Sequence, residues 1–181
     1  MEIRPVRYDH PDAARLDARV QAEYVERYGD GDSAPMDPEE FEPPHGRYFL
    51  VYDDAGTPVA TGGWRARSGG SEEGYADGDA EIKRMYVVPE ARGLGLARRV
   101  LAALEADARA AGRVRMVLET GIKQPEAMSL YVSEGYESAA QKFGTYRDYD
   151  DSRCYTKVLP VLVAHPAAPV REWERSSPLE P

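Results

Sequence analysis

The spacing of apolar residues changes period several times along the chain, and each change marks an element. Ile3, Pro5/Val6 and Tyr8 alternate over Glu2–Tyr8, the period of a short edge-type strand. Leu16, Val20, Tyr24 and Tyr28 then recur every four residues. They form one face of a helix that Asp9 or Asp12 could cap, with Pro11 in its first turn and Gly29 at its end. Two apolar runs, Arg47–Tyr52 and Pro58–Arg65, flank the turn signal Asp53-Asp54-Ala55-Gly56 and predict a hairpin. Asp79–Val88 predicts a third central strand, broken by Pro89. A helix-like run over Ala97–Ala111, extended back to Leu96, puts Leu96, Val100, Leu104 and Ala108 on one stripe, with Arg98, Arg99, Glu105 and Arg109 outside. Val114–Glu119 reads as a buried strand, and Pro125 and Gly135 bracket another helix containing Met128, Leu130, Tyr131 and Val132. Tyr136 onward and Cys154–Leu159 read as a closing strand pair around the loop Gly144–Ser152. This order predicts a mixed α/β fold: an antiparallel meander leading into a crossover unit.

The connectors add charge. Gly29–Pro44 contains four prolines and the acids Asp30, Asp32, Asp37, Glu39, Glu40 and Glu42, with no base. It reads as a solvated loop or as a rim that attracts a cationic substrate. Ser68–Gly78 is a second glycine-rich, acidic loop. From Pro160 the chain holds five prolines in 22 residues, so a single domain over 1–160 with a proline-rich tail at 161–181 is expected.

Between the third central strand and the next helix lies Arg92-Gly93-Leu94-Gly95-Leu96-Ala97. Strand, glycine turn and helix together aim backbone N–H groups at a phosphate, and small residues let the backbone approach it. A dinucleotide fingerprint would follow the first strand of a βαβ unit, whereas this turn lies mid-chain after a meander. The Gly-Lys-Ser/Thr of a nucleoside triphosphate loop is missing.

Composition narrows the class. The chain has 181 residues, 42% hydrophobic and 30% charged, with a formal net charge of −9. These are the proportions of a soluble globule. An acidic chain argues against nucleic acid as a partner and is compatible with a cationic one. No apolar run reaches the length of a membrane span, and the first residues lack the pattern of a signal peptide. The one cysteine, Cys154, cannot close an internal disulfide and fits a cytoplasmic location; it reads as a packed thiol. His10, His45 and His165 show no ligand spacing, so no metal site is expected.

Four features fall in order: the strand Glu81–Val88; Arg92-x-x-Gly95-x-Ala97; the strand ending Leu118-Glu119-Thr120; and Gln124-x-x-Ala127-x-x-x-Tyr131 followed by Gly135-Tyr136. Together they resemble the GNAT superfamily of acetyl-CoA-dependent N-acetyltransferases, strongly over about residues 80–140 and in element order before that. The resemblance implies six or seven strands flanked by about four helices, with coenzyme A between the fourth and fifth strands. It implies that Arg92, Gly93, Leu94, Gly95, Leu96 and Ala97 wrap the pyrophosphate. Main-chain groups of Met85, Tyr86 and Val87 would pair with the pantetheine arm, and Gln124 and Ala127 would border it. Gln124 stands where the family often has asparagine. A primary amine would attack the thioester directly in a ternary complex, without an acyl-enzyme and without a metal.

The resemblance gives Tyr131 the part of general acid toward the leaving sulfur, although a helix tyrosine with its ring in the core looks the same in sequence. It gives Glu81, after the small residue Ala80, the part of general base; Glu81 reads equally as an exposed strand-end acid, and Glu119 is its rival. The loop Phe143–Tyr149 reads as an acceptor wall or a surface hairpin. The acidic loops favour a small cationic amine as acceptor. A protein N-terminus or lysine, and a non-catalytic coenzyme-A sensor, are the other readings. The resemblance leaves a homodimer open.

Overall fold

The computed structural model describes residues 1–70 and 73–160; the proline-rich tail expected at 161–181 lies outside them. Seven strands form one sheet in the order β1-β2-β3-β4-β5-β7-β6. The strands are β1 (Glu2–Val6), β2 (Gly46–Tyr52), β3 (Pro58–Arg67), β4 (Asp79–Val87), β5 (Arg115–Gly121), β6 (Glu137–Ser138) and β7 (Ser152–Val158). Three α-helices accompany them: α1 (Pro11–Tyr28), α2 (Leu96–Ala110) and α3 (Pro125–Ser133). A fourth helix was expected; Pro38–Phe41 and Pro89–Ala91 make only single 3-10 turns. The mixed α/β fold and the meander-then-crossover order are as the sequence predicts.

Local chemistry explains the helix ends. His10, not Asp9 or Asp12, caps α1: its Nδ1 accepts from the Asp12 N–H at 3.1 Å, and Pro11 takes the first helical position. Gly29 closes the helix in the left-handed conformation. Along α2 the predicted stripe of Leu96, Val100, Leu104 and Ala108 is buried. It faces the side of the sheet where Gly62 approaches Val100 and Leu104, while the next residue, Gly63, faces Tyr48 and Phe41 on the opposite side. The main core therefore fills both sides of the meander, and a smaller cluster of Tyr75, Val117, Phe143 and Cys154 underlies the loops beside β5.

Three features of β4 position the site. It pairs with β5 in parallel at three rungs only, Asp79↔Arg115, Ala80↔Met116 and Glu81↔Val117, and the strands then part. Directly after the last rungs, β4 bulges: Thr61 pairs Tyr86 but Gly63 pairs Lys83, so Arg84 and Met85 oppose one residue of β3. A bulge bends its strand and sharpens its twist. Arg84 takes φ = 56° there, a conformation that costs an L-residue about 1–2 kcal/mol. Its buried guanidinium pairs with Asp17 of α1 at 2.8 Å and with Asp32 at 2.5 Å, which fixes the bend against α1 and the loop after it.

Candidate active site

Two cavities of about 310 Å³ each open where β4 and β5 separate, and both are lined by Tyr24 and Gln124. The first runs along Met85, Tyr86 and Val87, past Arg92, Gly93, Gly95, Leu96 and Ala97, to Ala127, Leu130 and Tyr131. The second is walled by Tyr28, Asp30, Asp32, Lys83, Glu119, Tyr146, Tyr149 and Asp151, among others. Segments up to 132 residues apart in the chain (Val20 to Ser152) thus meet at one opening in the sheet.

The first cavity has the features a pyrophosphate and an extended amide chain require. Gly93 and Gly95 both have positive φ, 81° and 74°, so the backbone turns into α2 as an L-side chain would resist. Gly95 caps α2 without a side-chain hydrogen bond, and the first turn carries no acid, so nothing competes with an anion for the helix N-terminus. Beyond Glu81 the β5-facing edge of β4 has no strand partner. Arg92 folds back, donating from Nε to the Val87 carbonyl at 3.0 Å and from its terminal nitrogen to Glu23. Glu23 also accepts from the Tyr86 hydroxyl at 3.1 Å. The residues present therefore fit coenzyme A.

All the residues that the resemblance assigns to the donor line this cavity except Leu94, whose side chain is 58% exposed at the tip of the turn. Tyr131 is both a cavity and a core residue. Its ring is 6% exposed, packs 5.6 Å from the Tyr136 ring and 6.3 Å from the Tyr155 ring, and still borders the cavity. Burial pushes its phenol pKa up, which keeps it protonated near neutrality.

Glu81 is neither exposed nor in either cavity. It is 1% exposed and is surrounded by Arg65 Nε at 2.7 Å, Arg67 Nε at 2.8 Å, Lys83 Nζ at 3.2 Å and the Tyr75 hydroxyl at 2.8 Å. Burial would raise its carboxyl, but the charges of Lys83, Arg65 and Arg67 outweigh burial and hold it at about 2. A carboxylate bound this tightly takes up no proton from an ammonium. The reading of Glu81 as an exposed strand-end acid is corrected, and its geometry points away from a proton acceptor.

Glu119 is placed differently. Its side chain lines the second cavity, and one oxygen accepts the Tyr146 N–H at 2.9 Å. The other oxygen is buried with no hydrogen-bond partner. It lies against Gly144, where an added Cβ would overlap the carboxyl, so only glycine lets the loop close over it. Burial pushes Glu119 up to about 7, against the pull of Lys83 and the Tyr146 N–H and with the push of Glu81 and Asp32. A partly buried, half-satisfied carboxyl near pKa 7 exchanges protons at neutral pH.

The loop Phe143–Tyr149 serves as a wall of this cavity. The Tyr146 hydroxyl donates to Asp32 at 2.8 Å and accepts the Ser33 N–H at 2.7 Å, joining that loop to the acidic segment after α1. Burial would raise Asp32, but Lys83 and Arg84 hold it below the ordinary carboxylate range. Sequence reasoning passed over Lys83, Tyr24, Tyr28 and Gly144. Lys83 carried a signal: Arg65, Arg67, Glu81 and Lys83 alternate on adjacent strands, the period that puts charges on one face. Cys154 is a buried thiol that donates to the Phe143 carbonyl at 3.4 Å, and burial pushes it up, away from reactivity. Among the described residues no group of three or more His, Cys, Asp or Glu could hold a metal, and no helix is long and apolar enough to cross a membrane.

The family model for the acetyltransferase (GNAT) family matches residues 16–136. The chain belongs to that family. It is 32% identical over 136 residues to the uncharacterized N-acetyltransferase YjgM of Escherichia coli K12, covering 71% of this chain and 77% of that one. It is 41% identical over 98 residues to an IAA acetyltransferase of Azospirillum brasilense, covering 54% of this chain and 59% of that relative, so the match spans about three fifths of the relative's length. A Klebsiella pneumoniae structure, provisionally classed as an acyl-CoA N-acyltransferase, superposes with a TM-score of 0.70 at 29% identity over 88% of this chain and 97% of that one. The GNAT region includes both cavities' walls up to Tyr131, and leaves the Tyr146 loop outside the matched residues.

Proposed function

We propose that the protein acetylates a primary amine of a small cationic molecule, with acetyl-CoA as donor and both substrates bound together. The observation that carries this reading is the meeting of two unlike cavities at Tyr24 and Gln124. One offers an anion cradle and a free strand edge; the other offers Asp30, Asp32, Glu119 and Asp151 against a single Lys83. Bound acetyl-CoA would supply the activated thioester. The backbone from Met85 to Val87 and the turn from Arg92 to Ala97 hold and orient it, with Gln124 and Ala127 at its side. Glu119 takes the proton that the acceptor ammonium must lose before its nitrogen can attack. Tyr131, kept protonated by burial, gives a proton to the departing sulfur. The aromatic and acidic lining of the second cavity suits an alkylammonium ion.

The test is a thiol-release assay with acetyl-CoA and a panel of amines, using wild type, Glu119→Gln and Tyr131→Phe. Turnover with small diamines or amino sugars, lost in both variants while coenzyme A binding persists, is the expected result. Coenzyme A binding without turnover of any amine would convert the reading to a sensor domain. Turnover of peptides alone would convert it to a protein acetyltransferase.

A further inference from the structure

We propose that Lys83 is a positioning residue for Glu119, its ammonium held at the mouth of the β4–β5 opening by Glu81 and governing when Glu119 releases its proton. The proposal rests on Glu119 as the proton acceptor for the amine, and gives the buried Glu81 cluster a purpose.

The geometry comes from the register. Glu81↔Val117 is the last parallel rung, and side chains two residues further along each strand point to the same face. Those residues are Lys83 and Glu119, which face each other across the first step of the opening and line the same cavity. The Arg65–Glu81 pairing on β3, and Cys154 opposite Glu119 on β7, mark the same face. Behind Lys83 the cluster contains three cations, Arg65, Arg67 and Lys83, and two carboxylates, Glu81 and Glu40. Both arginines bond Glu40 as well as Glu81, whereas among the described residues Lys83 pairs with Glu81 alone, at 3.2 Å. The surplus positive charge therefore resides on the member that reaches the cavity.

The groups around Glu119 are Lys83 and Glu81 from β4, Asp32 from the segment after α1, Tyr75 from the loop before β4, Cys154 from β7, and Tyr146 and Asp151 from the loop before β7. Lys83 is the one cation in that set. It pulls Glu119 toward ionisation, while Glu81 and Asp32 push the other way. Without Lys83 the carboxyl would hold its proton beyond neutral pH and could not accept another.

The experiment follows kcat/KM against pH for one amine in wild type, Lys83→Met, Lys83→Arg, Glu81→Gln and Glu119→Gln. In parallel, 13C NMR titrates the Glu119 carboxyl, a readout independent of turnover and of the amine's own ionisation. Lys83→Met should move the Glu119 titration and the acid limb up by about one pH unit or more. Lys83→Arg should leave both near the wild-type position, and Glu81→Gln should move them down. A purely structural role for Lys83 would lower activity at every pH without opposed shifts. If Glu119→Gln keeps the limb, the reading of Glu119 itself fails. If Glu119→Gln abolishes the limb but Lys83→Met leaves the carboxyl titration unmoved, the Lys83 proposal alone is overturned. Should Lys83→Met not fold, Lys83→Gln takes its place; failure of both to fold while Lys83→Arg folds makes Lys83 a structural charge and overturns the proposal.

Discussion

The two cavities share Tyr24 and Gln124 yet present different chemistry. The first cavity combines the short runs Met85–Val87 and Arg92–Gly93, the start of α2 from Gly95, and side chains of α1 and α3, and it presents a free strand edge and a helix N-terminus. The second cavity is walled by acidic and aromatic groups brought from the end of α1 and the loop after it, the middle of β4, the end of β5 and the loop before β7. Backbone recognition tolerates side-chain change and reads a constant ligand. Side-chain recognition is the part that can vary with the acceptor.

The largest test of this contrast is Glu119→Gln. Turnover with the amine should fall about 10²- to 10⁴-fold near pH 8, with coenzyme A affinity by calorimetry unchanged. In wild type, activity should climb with pH through about 7 as Glu119 ionises. Tyr131→Phe should cost about 10²-fold in kcat in a stopped-flow thiol assay, with little change in acceptor KM. Gly95→Val would force a β-branched residue into φ = 74° at the cradle. It should weaken coenzyme A by about 10-fold, consistent with about 1–2 kcal/mol of backbone strain, while acceptor binding stays near normal. Tyr146→Phe, which loses the bonds to Asp32 and Ser33, should raise acceptor KM a few-fold and leave the donor KM alone. Equal effects on both KM values in the last two variants would mean the cavities are not separable.

Stability gives a smaller, independent signal. The Glu119 carboxyl titrates higher in the fold than in an unfolded chain, so the fold holds an extra proton between about pH 4.5 and 7. That contribution is complete below the unfolded value and is lost as pH rises through about 7. Wild type should therefore lose stability relative to Glu119→Gln over this window, by about 1–3 kcal/mol, measurable as diverging melting temperatures.

The contrast also explains what could be read beforehand. Arg92–Ala97 and Ala127-x-x-x-Tyr131 are local patterns, so their chemistry shows in the chain itself. The hairpins, the stripe of α2 and the crossover order are periodic and were equally legible. Glu81 was not, because a strand acid looks the same in sequence whether it faces water or three cations. Its partners Arg65 and Arg67 lie on another strand, and Tyr75 lies in a loop. Glu119 could be named a rival but not weighed, since its unpaired oxygen depends on Gly144, a residue 25 positions away that approaches only after folding. The cap of α1 was missed for a simpler reason: His10 accepts through Nδ1 as an aspartate would through oxygen.

Arg84 belongs to neither cavity's lining, yet its left-handed turn lies in the bulge just past the last rung between β4 and β5, and its guanidinium grips Asp32, a wall of the second cavity. One residue is thus the hinge-pin of both compartments. Any change at Asp32 in the second cavity would loosen that pin, so its effect would have to be followed in the first cavity as well.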